Sequence, residues 1–448
     1  MSAVRILRLA AGGDGVGKLE TGKTVFVPRT APGDLVELTG AREHARFTRA
    51  RIAQLLEPGP GRVEPRCLHY YRDDCGGCQW QHLGTAVQRE AKRALVAETL
   101  ERIARLHVAV PPVIAGDAEW GYRGRIALAI GPGRRYAGFH PLDRPDRTFA
   151  LERCELAAPG LMTLWAALRS HLGLLPPDVE QVVLRLARDD GLHVIVKARG
   201  DQAWGRAREL SLRVHDAGVA ATIWWQPAGG AARVVGGATD PFPAAVFEQV
   251  NPELGDRIRD FAIAWLGDVR SGHVWDLYAG IGDTTDRLHA AGATVESVEL
   301  DNRAVDFAER RWRAAPSESA DSQRPNPAGV IRHIGRVEDL VGTLRDPGAV
   351  IANPPRAGLD PRVTASLLER RPARIVYVSC DPATLARDLG RLCGTIAEPP
   401  SRRAAEPPGP AAEPPNRPTV EPYTLASVQP FDLFPQTAHV ETVALLEA

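Results

Sequence analysis

Three short runs in the C-terminal half of the chain carry side chains able to do chemistry. Ser379-Cys380-Asp381-Pro382 sets a thiol just past an apolar, strand-like run at 375–378. In open α/β sheets, ligands bind beyond the carboxyl ends of the strands, and a thiolate at that rim is a nucleophile. A free cysteine more often ends as a buried packing residue, but flanking Ser, Asp and Pro argue against a greasy site. Asn353-Pro354-Pro355-Arg356 ends the strand-like run before it and offers an amide and two rigid prolines at the same rim. Further on, Asp432-Leu433-Phe434-Pro435-Gln436-Thr437-Ala438-His439-Val440-Glu441 places a carboxylate just ahead of a last apolar strand. Taken alone, Glu441 reads as an ordinary surface acid.

A fourth run points to a cofactor. The strand-like Val274-Trp275-Asp276-Leu277-Tyr278 passes into Ala279-Gly280-Ile281-Gly282-Asp283. Gly280 and Gly282 let the backbone approach a ligand closely. Glu299, at the end of the next strand-like run, has the position of an acid that accepts both ribose hydroxyls of a nucleoside. A dinucleotide site wants a third glycine, and the position three beyond Gly282 is Thr285. With no pyrophosphate to cradle, S-adenosylmethionine fits better than a nicotinamide cofactor; a tight turn with no ligand is the bland alternative.

The cysteines form a second constellation. Cys67, Cys75 and Cys78, with Cys154 further on, supply four thiols without the pattern of a disulfide framework. Their spacing suits tetrahedral zinc and an iron–sulfur cluster equally. The sixth cysteine, Cys393, falls on the helix after Cys380 and reads as packing.

The elements that must position these groups follow from periodicity. The chain has 448 residues, 44% hydrophobic and 25% charged, an ordinary globular composition that excludes disorder throughout. No apolar run is long enough to span a membrane and no leader is evident, so a cytoplasmic protein is expected. Net charge is zero, yet residues 1–110 hold 17 Lys and Arg against 12 Asp and Glu. Residues 1–56 alternate as short strands with turns at 12–15 and 32–34, which predicts a small β-barrel of OB type. A Pro/Gly/Arg-rich linker at 57–66 precedes the cysteines, and 84–106 has helical periodicity. Strand candidates at 125–130, 181–186 and 193–198 predict a central α+β domain over 57–245. From residue 246 to 448, helix 254–266, strand 273–278, strand 294–300, helix 303–314 and strands 330–334, 348–352 and 374–379 predict a parallel, doubly wound α/β sheet of Rossmann-like kind. The polar, proline-bearing stretches 316–328 and 398–422 cannot bury a core and are expected as surface insertions, the second disordered.

Together these runs resemble the RNA uracil-C5-methyltransferase family. The resemblance rests on Phe247-Glu248-Gln249-Val250-Asn251, the turn from Asp276 to Gly282, Asn353 to Gly358, Ser379 to Asp388, and Asp432 to Glu441, in that order. The N-terminal segment, with Phe26-Val27-Pro28 and Pro32-Gly33, is similar to that family's RNA-binding TRAM domain, and the four early cysteines match its iron–sulfur branch. The resemblance implies S-adenosylmethionine-dependent methylation of a uridine C5, with Cys380 adding to C6 and Glu441 removing the C5 proton. It implies Gln249, Tyr278, Gly280, Gly282, Asp283, Glu299 and Asn353 around the cofactor, and a [4Fe–4S] cluster on Cys67, Cys75, Cys78 and Cys154, with zinc the alternative. The implied partner is RNA, 23S ribosomal RNA ahead of transfer RNA, and the expected state is a monomer. Departures are Asn353 where the family has Asp, Ala279 where a Cys is frequent, Asp283 where a smaller or amide residue is common, and Arg336 where a polar cofactor contact is usual. The other readings are a transfer-RNA uridine-C5 methyltransferase, an amino-methyltransferase holding an exocyclic amine with Asn353-Pro-Pro, and a non-catalytic RNA-binding protein.

Overall fold

The structure, a computed structural model, describes residues 3–237, 249–314, 329–396 and 421–448. The expected insertion at 316–328 lies outside the described residues, as does that at 398–422 except Glu421 and Pro422; Phe247 and Glu248 also lie outside them. By internal packing the chain divides into two units. The first comprises Met1–Lys92, Ala115–Gly255 and Asp432–His439; the second comprises Arg93–Ile114, Asp256–Phe431 and Val440–Ala448.

In the first unit, strands Ala3–Leu9, Gly15–Lys18, Thr24–Val27, Leu35–Glu43 and Phe47–Glu57 close a barrel in which the fifth strand lies between the third and the fourth. The third and fifth run parallel from the pair Thr24↔Phe47, and the other pairings are antiparallel. Alternate residues face inward, so Val4, Ile6, Val25, Val27, Val36 and Ala50 fill the barrel. This is the small barrel read from the period-two pattern. The same unit holds a six-stranded sheet in the order Arg233–Gly236, Ala221–Gln226, Leu192–Ala198, Val179–Leu186, Arg125–Ile130 and Ala137–Gly138. Helices Pro159–Leu168 and Ala207–Asp216 bury Leu161, Leu164, Trp165 and Leu210 in one core with Leu128, Val182, Leu184 and Val194 of the sheet. The predicted helix at 84–106 forms as Thr85–Thr99 and then widens into a π-turn, Leu100–Ala104, stopped by Arg105 in the left-handed conformation.

In the second unit, an eight-stranded sheet runs in the order Val330–Ile334, Thr294–Glu299, His273–Leu277, Ala349–Ala352, Arg374–Ser379, Glu441–Glu447, Thr424–Asp432 and Ile114–Ala115. The first five strands are parallel, as the alternation of strands and helices demands. The sheet is not parallel throughout, however. Glu441–Glu447 and Thr424–Asp432 pair antiparallel with each other, and the first of them pairs antiparallel with Arg374–Ser379. The loop between them is too short for a crossover, so they can only be antiparallel neighbours. This reversal brings the start of the last strand to the rim where the parallel strands end.

One buried carboxylate braces that rim. Asp388, on helix Pro382–Leu392, is fully buried and accepts from Leu359 N at 2.7 Å and the Tyr377 hydroxyl at 2.9 Å. Arg387 Nε donates to its other oxygen at 2.8 Å. The turn 353–358 is thereby fixed against the strand and helix that flank Cys380. Gly358 has φ +78, and a Cβ there would lie 2.3 Å from Asp388 Oδ2. Gly358→Ala should therefore lower stability by about 2 kcal/mol or more, read as a shift in denaturant midpoint; an unchanged midpoint contradicts the brace.

Candidate active site

The nucleophile and the acid meet through strand register. In the pairing of Arg374–Ser379 with Glu441–Glu447, Ser379 stands opposite Thr442. Cys380 follows Ser379 and Glu441 precedes Thr442, and the Glu441 carboxylate lies near enough to act on the Cys380 thiol. Asp381 then starts helix Pro382–Leu392 by accepting from Ala383 N and Thr384 N, each at 2.9 Å. Pro382 at the first helical position suits that cap. Cys380 is thus held between a strand end and a capped helix, half-buried at the rim.

The electrostatics of this pair oppose each other. Burial pushes the Cys380 thiol up, and the neighbouring Glu441 carboxylate adds to the rise. The Arg356 guanidinium, hydrogen-bonded to the thiol, acts in the opposite sense. Glu441 is 2% exposed, and burial pushes its carboxyl up to about 8, again against Arg356. Its Oε2 is buried with no hydrogen-bond partner, an acceptor left open at the centre of the site. Arg356 was passed over as part of an Asn-Pro-Pro-Arg run; its position at the end of strand Ala349–Ala352 was the available signal. Asp388 and Tyr377, which fix the surrounding turns, carry no signal in the sequence beyond Asp388 falling on the helix after Cys380.

The glycine turn forms as its sequence requires. Tyr278, Gly280 and Gly282 all have positive φ, at 65, 57 and 81, and helix Asp283–Ala290 follows at once. Glu299 reaches across to the turn, accepting from Gly280 N and from Asp301 N, each at 2.8 Å. The acid and the glycine turn are thus joined, and the carboxylate keeps lone pairs for a ribose. Below them, buried Asp276 accepts from the Thr285 hydroxyl at 2.5 Å, and burial raises its carboxyl to about 7. Asn353 is exposed at the same rim, its N–H bonded to Leu277 O at 3.2 Å. At Asp283, also expected at the cofactor, Arg311 Nη1 lies at 2.8 Å and Arg259 at 3.5 Å. Its charge is taken up by arginines, which anchor the start of the helix. Gln249 belongs to the first unit, and its part in a cofactor site rests on its motif alone.

The four cysteines come together in the first unit. Cys67, Cys75, Cys78 and Cys154 line one cavity of about 520 Å³ with Tyr70, Arg123 and Phe139. Burial raises all four thiols, Cys75 to about 11 and Cys78 to about 12. Backbone N–H groups point at the sulfurs: Gly77 N lies 3.5 Å from Cys75 Sγ, and Cys67 and Cys154 also accept from backbone. Among the described residues no three His, Cys, Asp or Glu side chains close on a point as ligands of one metal ion do.

The buried acid makes the site's stability depend on pH. A carboxyl raised from 4.5 to about 8 in the folded state keeps its proton longer when folded than when unfolded. Stability is therefore lost as pH rises from the unfolded value through the folded one. Glu441→Gln should be more stable than the parent at pH 9, by about 2 kcal/mol or more, and nearly equal to it near pH 4. Thermal melts of both proteins across that range check this; a constant difference at all pH values contradicts the assignment.

Comparison with known proteins agrees with this architecture. Residues 241–397 match the family model described as tRNA (Uracil-5-)-methyltransferase, and residues 3–39 match the TRAM domain. The chain is 31% identical to a 23S rRNA (uracil(1939)-C(5))-methyltransferase of Nitrosococcus oceani, over 95% of this chain and 92% of that one. It is 30% identical to the enzyme of the same name from Thiobacillus denitrificans, over 99% of each. In fold it is similar to the crystal structure of Pyrococcus abyssi tRNA (uracil-54, C5)-methyltransferase in complex with S-adenosyl-L-homocysteine, with a TM-score of 0.67 at 20% identity, covering 99% of this chain and all of that one. With a TRAM barrel, a methyltransferase sheet and 30–31% identity to these relatives over nearly its whole length, this chain belongs to the RNA (uracil-C5)-methyltransferase family.

Proposed function

We propose that this chain methylates C5 of a uridine in ribosomal RNA through a temporary bond between Cys380 and C6 of the ring. The observation that supports this reading is the pairing of Ser379 with Thr442, from which Cys380 and buried Glu441 are each one residue away, with Arg356 acting on both. S-adenosylmethionine, when bound, supplies an electrophilic methyl on a sulfonium; Glu299 and the turn 278–282 are the residues suited to hold its nucleoside, and Asn353 stands at the same rim.

The chain's own groups account for the rest. C5 of uracil is a poor nucleophile. Cys380 attacks C6 as a thiolate, the C5=C6 electron pair moves toward the C4 carbonyl, and C5 becomes electron-rich enough to take the methyl. Arg356 favours the thiolate, whose proton leaves to solvent; the neutral form of Glu441 avoids a like charge beside it, and once the negative charge has passed into the ring Glu441 releases its own proton to solvent and stands as the carboxylate. The Glu441 carboxylate, with its open acceptor, then takes the C5 proton. The C–H pair re-forms C5=C6, and the C6–S bond breaks to return the thiolate. The target base must leave its stack to reach the rim.

The rRNA substrate is supported by the names of the two relatives above, and the barrel supplies an RNA-binding module. The cysteine cavity fits a [4Fe–4S] cluster better than zinc. The four thiols line a cavity of about 520 Å³, and backbone donors aim at the sulfurs, as a cluster's thiolate ligands require. A cluster bound there would be held by Cys67, Cys75, Cys78 and Cys154 and would tie this segment together; no step above calls for electron transfer.

Incubation with 5-fluorouridine-containing RNA and the methyl donor should leave a complex that survives a denaturing gel, because fluorine cannot be removed as a proton. Cys380→Ala should abolish the complex and lower turnover on order of a thousandfold or more. Undiminished methylation by Cys380→Ala contradicts the reading and favours amino-group chemistry at Asn353. Anaerobically purified protein should be brown and hold about four iron atoms per chain, and Cys78→Ala should lose them; a colourless protein loaded with zinc contradicts the cluster.

A further inference from the structure

The loop that leads into Glu441 is held in a conformation its own sequence does not favour. Gln436, five residues before Glu441, has φ +68 and is 2% exposed. A non-glycine residue stays in that region only when its surroundings over-determine it, and such strain gathers at functional sites. Here the determinants are visible. Gln88 and Gln436 exchange two bonds, Gln88 Nε2 donating to Gln436 Oε1 and Gln436 N donating to Gln88 Oε1, each at 2.9 Å. Trp80 N donates to Gln436 O at 3.0 Å, and the Tyr122 hydroxyl donates to Pro435 O at 3.0 Å. Ala438 N donates to Gln79 Oε1 at 3.4 Å.

Three of these supports belong to the cysteine site. Gln79 and Trp80 directly follow Cys78, and Gln79 Nε2 also donates to Gly76 O, at 3.1 Å, inside the turn between Cys75 and Cys78. Tyr122 packs in one buried cluster with Tyr70, Cys78, Cys67 and Cys154. The loop Asp432–His439 belongs to the same unit as the cysteines, and two residues further along the chain is Glu441. Bonds to helix Thr85–Thr99, from Gln88 to Gln436 and from Lys92 to Asp432 and Phe434 O, hold the loop independently of the cysteine segment.

We propose that the four-cysteine segment is the support of loop Asp432–His439, so that emptying the cysteine site loosens this loop and slows proton removal by Glu441 while leaving addition by Cys380 intact. Gln79, Trp80 and Tyr122 are positioning residues in this account. The inference rests on the proposed C5 chemistry only for its kinetic arm. A slowed base step has its own signature: with the methyl already on C5 and the proton not removed, the C6–S bond cannot break. The covalent complex then accumulates on ordinary uridine RNA.

Hydrogen–deuterium exchange on the full chain tests the structural arm, comparing anaerobic protein with protein stripped of iron by ferricyanide and a chelator. Amides of 432–441 should exchange on the order of tenfold faster after stripping, with 374–379 unchanged. Unchanged exchange over 432–441 overturns the proposal. Because stripping can unfold the whole chain, Gln79→Ala tests the link with the four thiols in place. It should keep its iron, form the 5-fluorouridine complex at the parental rate, exchange faster over 432–441, and release methylated RNA on the order of tenfold more slowly with the covalent complex accumulating. Gln79→Glu, which keeps the acceptor for Ala438 N–H, should restore much of the release rate. Parental exchange and release in Gln79→Ala overturn the proposal. Failure of the parent protein to form the fluorouridine complex refutes the C5 chemistry instead, and the exchange comparison still decides the structural link.

Discussion

One rung of one antiparallel pairing organises the catalytic end of this molecule. Ser379 opposite Thr442 fixes where the chain leaves one strand and enters the other. A slip of a single residue would turn every side chain of the last strand to the other face. That register is well protected: Val376, Tyr377, Val443, Ala444 and Leu446 are buried on both faces of the two strands, so a slip would exchange side chains between two packed layers. The hydrophobic core thus determines the distance between a thiol and a carboxyl that are far apart in sequence.

The same burial sets the chemical character of the pair. Removing water raises both Cys380 and Glu441 toward their neutral forms, and the Glu441 carboxylate adds to the rise at Cys380. Arg356 acts on both in the opposite sense, so one negative charge beside it is the favoured state. That state matches a reaction needing a thiolate first and a carboxylate later. The price in stability falls on alkaline solution, where the folded protein holds a proton that the unfolded chain has lost.

Much of this was legible before any coordinates. The period-two runs gave the barrel, and alternating strands and helices gave the parallel part of the sheet, because both patterns arise from local geometry. Gly280, Gly282 and Glu299 came from a turn whose backbone needs glycine and whose neighbour strand needs an acid. What could not be read locally was set by long-range pairing. Glu441 looked like a surface acid because its burial depends on strand Arg374–Ser379, more than fifty residues earlier. The ion pairs of Asp283 with Arg311 and Arg259 were not legible either, because no spacing rule announces ion pairs between helices. The antiparallel turn of the sheet and the strain at Gln436 were likewise hidden, since both follow from how a hairpin is anchored rather than from its composition.

The claim that Cys380 and Glu441 share one electrostatic field can be measured directly. Alkylation of Cys380 by iodoacetamide, followed on its own peptide by mass spectrometry across pH, reports the titration of that thiol. Because the ionised Glu441 carboxylate holds the thiol up, Glu441→Gln should move the Cys380 titration to lower pH. A Cys380 profile that is the same in parent and Glu441→Gln would contradict the account.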